Sequence, residues 1–185
     1  MNIIMIHGLE GDGNENWFPW LREKLTLQGH NVITPRFPTP ENQSLESWMN
    51  VFEDYKQYLN QDTSMIGHSL GCPFILDLLE ITDVKIKAAF LVAPFASLLG
   101  FEYGDNLNKT FVDKKFYWEK IRQNCDEFYV YYSDNDPYVT EQIAMDVLEN
   151  VQGIDRKVCN AGHFNKKAGY IEFEKLLKDI EAVIK

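Results

Sequence analysis

Short apolar runs alternate along this chain with longer stretches in which apolar side chains return every three or four residues. The runs lie at 2–6, 31–34, 64–67, 87–92, 127–132 and 155–158 and predict six β-strands. The stretches at 18–28, 45–60, 70–80, 113–123, 140–149 and 170–184 predict six helices. In the second of them Leu45, Trp48, Met49, Phe52, Tyr55 and Leu59 recur at helical spacing and form a single apolar stripe. Ile171, Leu176, Leu177, Ile180 and Ile184 do the same near the C-terminus. Alternation of this kind predicts a mostly parallel sheet with helices packed on both sides, a three-layer α/β/α sandwich. Residues 94–112 mix Pro, Gly, Asn and aromatic residues without a period, and are predicted to form a long loop over one end of the sheet.

A chain of 185 residues, 45% of them hydrophobic, has material for one substantial core and little for a second, so residues 1–185 are expected to form a single domain. Charge then narrows the partners. Asp and Glu number 28 against 18 Lys and Arg, a net charge of −10, and no Lys/Arg cluster breaks the pattern. That balance opposes a phosphate backbone and an anionic membrane surface, so neither nucleic acid nor membrane is an expected partner. Cys72, Cys125 and Cys159 have no C-x-x-C spacing, which predicts neither a disulfide framework nor a zinc site. The opening Met-Asn-Ile-Ile-Met-Ile has no basic segment before it and no small-residue cleavage site after it. With no run of about 18 apolar residues either, a cytoplasmic protein is expected.

The picture changes at Gly67-His68-Ser69-Leu70-Gly71, which follows the predicted strand 64–67 and opens the predicted helix 70–80. A G-x-S-x-G run in that setting reads as a nucleophile elbow. The serine takes a strained backbone conformation there, and glycine two positions away on either side lets strand and helix approach. Its hydroxyl then lies near a helix N-terminus, where backbone N–H groups can hold a developing oxyanion. An ordinary strand-to-helix turn is the competing reading, and a serine hydroxyl is a poor nucleophile unless a base takes its proton. Of the four histidines, His68 is adjacent to the serine, His7 ends the first strand and His30 precedes the second. His163, in Asn160-Ala161-Gly162-His163-Phe164, follows the last strand on a glycine-containing loop, at the carboxyl end of the sheet that also holds Ser69. His163 is therefore the candidate base.

The acid that orients such a base should follow a strand between Ser69 and His163. The strand at 127–132 leads into Ser133-Asp134-Asn135-Asp136-Pro137-Tyr138-Val139, where Asp136 is favoured over Asp134. Turn formation is the competing role for both aspartates. The order Ser69, Asp136, His163 is the one the α/β-hydrolase fold uses. A second oxyanion donor should come from the loop after the first strand, His7-Gly8-Leu9-Glu10-Gly11; the backbone N–H of Leu9 is the candidate, paired with that of Leu70. Gly8, Gly11 and Gly13 match neither a P-loop nor G-x-G-x-x-G, and no metal-ligand spacing occurs, so no metal or cofactor is expected. Trp17, Phe95, Phe101, Tyr138 and Phe164 fall near the inferred site and are candidates for an apolar acyl pocket, with simple packing as the alternative.

Together, His7-Gly8, Asn16-Trp17-Phe18-Pro19-Trp20, the Ser69 elbow, Asp134-Asn135-Asp136-Pro137-Tyr138-Val139 and Gly162-His163-Phe164 resemble a known group. The chain is similar to the small single-domain serine hydrolases that include retinoblastoma-binding protein 9 and the bacterial YdeN proteins. The resemblance covers essentially the whole chain and implies an α/β-hydrolase fold with no separate lid domain, its triad carried by Ser69, Asp136 and His163. From the parts of the site, the leading expectation is hydrolysis of a small-molecule ester or thioester through an acyl-enzyme, with amide hydrolysis, which needs stronger leaving-group protonation, not separated from it by the sequence. Some members have been discussed mainly as binding proteins, so a scaffold that keeps the fold with little turnover is the second expectation. No L-x-C-x-E run occurs, which removes the retinoblastoma protein as an expected partner. The presence of every part that a hydrolase site needs favours the enzyme over the scaffold.

Overall fold

The computed structural model describes residues 1–184. Its strands are β1 (Asn2–Ile6), β2 (Asn31–Ile33), β3 (Ser64–His68), β4 (Ile86–Val92), β5 (Cys125–Tyr132) and β6 (Ile154–Lys157). They form one sheet in the order β2-β1-β3-β4-β5-β6, and every neighbouring pair is parallel. Its helices are α1 (Phe18–Leu27), α2 (Leu45–Phe52), α3 (Gly71–Ile81), α4 (Glu102–Val112), α5 (Trp118–Gln123), α6 (Glu141–Val151) and α7 (Glu174–Val183).

Two hydrophobic cores, one on each face, explain why the inner strands β1, β3 and β4 read as apolar runs, whereas the edge strand β6, Ile-Asp-Arg-Lys, is half exposed. Ile3, Met5, Phe90, Tyr129 and Tyr131 face α1 and α7, while Ile4, Ile6, Leu91, Val130 and Tyr132 face α2 to α6. The result is a three-layer α/β/α sandwich. Among the described residues no helix is long and apolar enough to cross a membrane.

Three helical expectations need correction. The predicted loop at 94–112 contains α4, whose Asn108, Phe111 and Val112 are buried; Asp105 anchors its start by accepting the Leu99 and Gly100 N–H groups at 2.6 and 2.9 Å. Tertiary burial there overrides a weak local pattern. The predicted helix at 113–123 forms only as α5, because the residues before it leave the helix to bring Lys114 and the Tyr117 N–H onto Glu80 of α3. The predicted helix at 45–60 divides into α2 and a 3₁₀ stretch, Glu53–Tyr58. A capping box fixes its start, with Ser47 N–H donating to Ser44 Oγ at 3.0 Å and Ser44 N–H to Ser47 Oγ at 3.1 Å.

The strand order reverses at β1. β2 lies to one side of it and every later strand to the other, so the chain leaves β1 for α1 on one face and leaves β3 for α3 on the opposite face. A crevice opens between such diverging connections at the carboxyl ends of the two strands.

Candidate active site

At the end of β3 the chain turns through Ser69, whose φ of +52° lies in the left-handed region that side chains seldom occupy. Its N–H donates to Val92 O at 2.9 Å and its carbonyl accepts from Cys72 N–H at 2.9 Å, so both ends of the turn are held. Contact explains the flanking glycines. A Cβ on Gly67 would lie 2.9 Å from the Cys72 nitrogen, and one on Gly71 would lie 2.9 Å from the His7 carbonyl oxygen. Strain of this sort persists only where the surroundings over-determine it.

His163 Nδ1 lies 2.7 Å from Asp136 Oδ2. The Asp136 side chain is 1% exposed, and its other oxygen accepts the N–H groups of Tyr138 at 2.9 Å and Val139 at 3.1 Å. An ionised carboxylate only accepts, so Nδ1 carries the imidazole proton and Nε2 keeps a free lone pair. Asp134 turns elsewhere: its Oδ1 accepts the Asn160 N–H at 2.8 Å, a bond that holds this carboxyl below its ordinary range. Ser133 Oγ accepts the Ala161 N–H at 2.9 Å and Asn135 Oδ1 the Gly162 N–H at 2.7 Å. The loop bearing Asp136 thus grips the loop bearing His163 at three successive backbone positions.

Two further donors hold the histidine loop from the other side. His68 Nε2 donates to the His163 carbonyl at 2.9 Å, and Trp17 Nε1 donates to the Phe164 carbonyl at 3.0 Å. Burial, with His163 alongside, pushes His68 down to about 3, which keeps its ring neutral. Neither residue's contact to a backbone carbonyl across the fold has a sequence signature, and His68, Ser133 and Asn135 were not site candidates on sequence grounds.

Ser69 and His163 line one cavity of about 440 Å³, roofed by the 7–16 loop and by α4. The Ser69 hydroxyl makes no hydrogen bond to His163 among the described residues; such contacts commonly tighten only when substrate binds. The Leu9 and Leu70 N–H groups, on the β1 loop and at the start of α3, likewise have no acceptor among the described residues. Phe101 and Tyr138 line the cavity with Leu9 and Leu99, and the Tyr138 ring meets His163 edge-on, centroids 5.0 Å apart.

Trp17, Phe95 and Phe164 do not line the cavity, contrary to the sequence expectation. Each is fully buried in the cores. Trp17 stacks on Phe18 at 4.4 Å, Phe164 stacks on Phe173 at 5.4 Å, and Phe95 packs on the α3 face. Apolar side chains on these connections gain more from the sheet than from the crevice.

The family described as Serine hydrolase matches residues 3–182 of this chain. YdeN of Bacillus subtilis (strain 168) is 29% identical over 171 residues, which make up 91% of this chain and 88% of YdeN. The serine hydrolase RBBP9 of Rattus norvegicus is 24% identical over 169 residues, 91% of this chain and 86% of that protein. The crystal structure of the ydeN gene product from B. subtilis aligns with a TM-score of 0.92 at 26% identity, covering 98% of this chain and 97% of the other.

Proposed function

Because the chain belongs to the serine hydrolase family and has the α/β-hydrolase fold, we propose that it hydrolyses a carboxylic ester or thioester through an acyl-enzyme on Ser69. His163 acts as general base and Asp136 as the acid that orients it. The observation that carries this reading is the 2.7 Å contact of His163 Nδ1 with Asp136 Oδ2, beside a cavity that also receives Ser69 on its left-handed turn.

Each step follows from the groups present. Nε2 of His163 takes the Ser69 proton as Oγ attacks the carbonyl carbon, and Asp136 stabilises the imidazolium that forms. The tetrahedral oxyanion meets the Leu9 and Leu70 N–H groups. Collapse breaks the bond to the alcohol or thiol, which leaves with the proton from His163. Water then attacks the acyl carbon with His163 again as base, and the new tetrahedral intermediate breaks its bond to Ser69 Oγ, which takes the proton back from His163 as the carboxylic acid departs. The acyl group lies along Leu99, Phe101 and Tyr138, a small-molecule pocket with no role for a cofactor.

Steady-state hydrolysis of p-nitrophenyl butyrate beside a matched thioester tests the reading. Turnover is expected to fall at least about 10³-fold in Ser69→Ala and in His163→Ala. It is expected to rise with pH, because only the neutral imidazole can accept the serine proton. A flat profile under chemistry-limited conditions would remove His163 from the base's role.

A further inference from the structure

The loop after β1 is held by a residue that the proposed triad leaves unused. His7 is 2% exposed and packs against the stacked rings of Phe37 and Trp48, with ring centroids 5.6 and 5.3 Å away. Its Nε2 lies 3.0 Å from the Phe37 backbone nitrogen, whose N–H can only donate, so Nε2 is the unprotonated ring nitrogen. Nδ1 therefore carries the proton and donates to the Gly8 carbonyl oxygen at 2.8 Å. The Gly11 N–H donates to the same oxygen at 3.2 Å.

Two donors thus fix the direction of the Gly8 carbonyl. In a trans peptide the C=O and the following N–H point opposite ways, so the direction of the Leu9 N–H is fixed with it. That N–H is free of any acceptor among the described residues. Gly8 also sits against the nucleophile, since a Cβ built on it would lie 3.1 Å from the Ser69 Cβ. Burial, only partly offset by the Gly8 bond, holds His7 below the ordinary imidazole value and so preserves its neutral tautomer.

We infer that His7 is a positioning residue for the oxyanion hole: its Nδ1–H turns the Gly8–Leu9 peptide so that the Leu9 N–H faces the carbonyl oxygen of an acyl group on Ser69. The inference rests on the hydrolase reading above and adds a residue that acts only through a peptide plane.

Two substitutions separate the two nitrogens of His7. The amide of Asn reaches about as far as Nδ1, so His7→Asn retains a donor for Gly8 and gives up the Phe37 contact. The amide of Gln reaches about as far as Nε2, so His7→Gln retains an acceptor for Phe37 and gives up the Gly8 donor. With p-nitrophenyl butyrate, His7→Gln is expected to lower kcat at least about tenfold with KM within about twofold, because an oxyanion donor acts in the transition state alone. His7→Asn is expected to stay within about threefold of wild type in kcat, whatever its thermal midpoint. Equal losses, a loss confined to KM, or the reverse order would overturn the inference, while Ser69-dependent turnover by the wild type left the hydrolase reading standing. If the wild type shows no Ser69-dependent turnover of any ester or thioester, both fall together.

Discussion

Asp136 and Asp77 have side chains that are each 1% exposed, and each faces one basic group, His163 and Lys114 respectively. What else reaches the carboxylate separates them. Asp136 receives the His163 Nδ1–H and the N–H groups of Tyr138 and Val139. Asp77 has the Lys114 ammonium in contact with Oδ1, and neither of its oxygens receives a hydrogen bond of good geometry. Burial pushes Asp77 up to about 7 against the pull of Lys114. Position in the chain explains the contrast. Asp136 opens a turn through Pro137 whose following amides are free to bond back to it, whereas Asp77 sits inside α3, where the nearby amides are spent on the helix. Burial without hydrogen-bond donors favours the neutral form of a carboxyl group, as at Asp77.

Removing charge from each carboxylate tests that contrast most severely at Asp136. Asp136→Asn preserves the shape but disturbs the imidazole tautomer, and kcat is expected to fall about 10³- to 10⁴-fold with the melting temperature little changed. Ester kinetics beside circular-dichroism melts check this, and a loss below tenfold would deny Asp136 the orienting role. Asp77→Asn should act on stability instead. Because the folded value of Asp77 lies above its reference of 3.8, the stability it contributes is full below that pH and is lost as pH rises through about 7. The variant should therefore gain on the wild type across that window, by about 4 kcal/mol in urea unfolding, with kcat unchanged. Parallel pH curves for the two proteins would show Asp77 to be charged throughout. The smallest effect belongs to Asp134→Asn, since an amide oxygen can still accept from Asn160: kcat within about threefold of wild type and a melting temperature little changed.

The strands β1, β3, β4 and β5 were legible because burial on both faces keeps polar residues out of their centres, and the elbow because the contacts requiring Gly67 and Gly71 lie close to Ser69. α4 was not. Tyr103, Leu107 and Phe111 recur at a spacing of four, yet Gly104, Asn106 and Asn108 between them read as loop, and its anchors are tertiary: Asp105 on Leu99 and Gly100, and Gln43 on the Leu107 carbonyl. Within the site, the residues at strand ends could be placed from motif and order. Which loop aromatics turn inward could not, and Phe95 and Phe164 entered the cores while Phe101 and Tyr138 met the cavity. The lacing of Ser133, Asp134 and Asn135 onto residues 160–162 spans 26 to 28 positions and leaves no period to read. Those three residues look like turn formers until the other loop is in place.

Intact-protein mass spectrometry after incubation with a fluorophosphonate, beside a Ser69→Ala control, tests the central claim most directly. An activated serine predicts one adduct per wild-type chain and none on the variant. Folded wild-type protein that stays unmodified, or a variant labelled as fully as the wild type, would contradict the assignment of Ser69 and return the chain to the reading of a binding protein on a hydrolase fold.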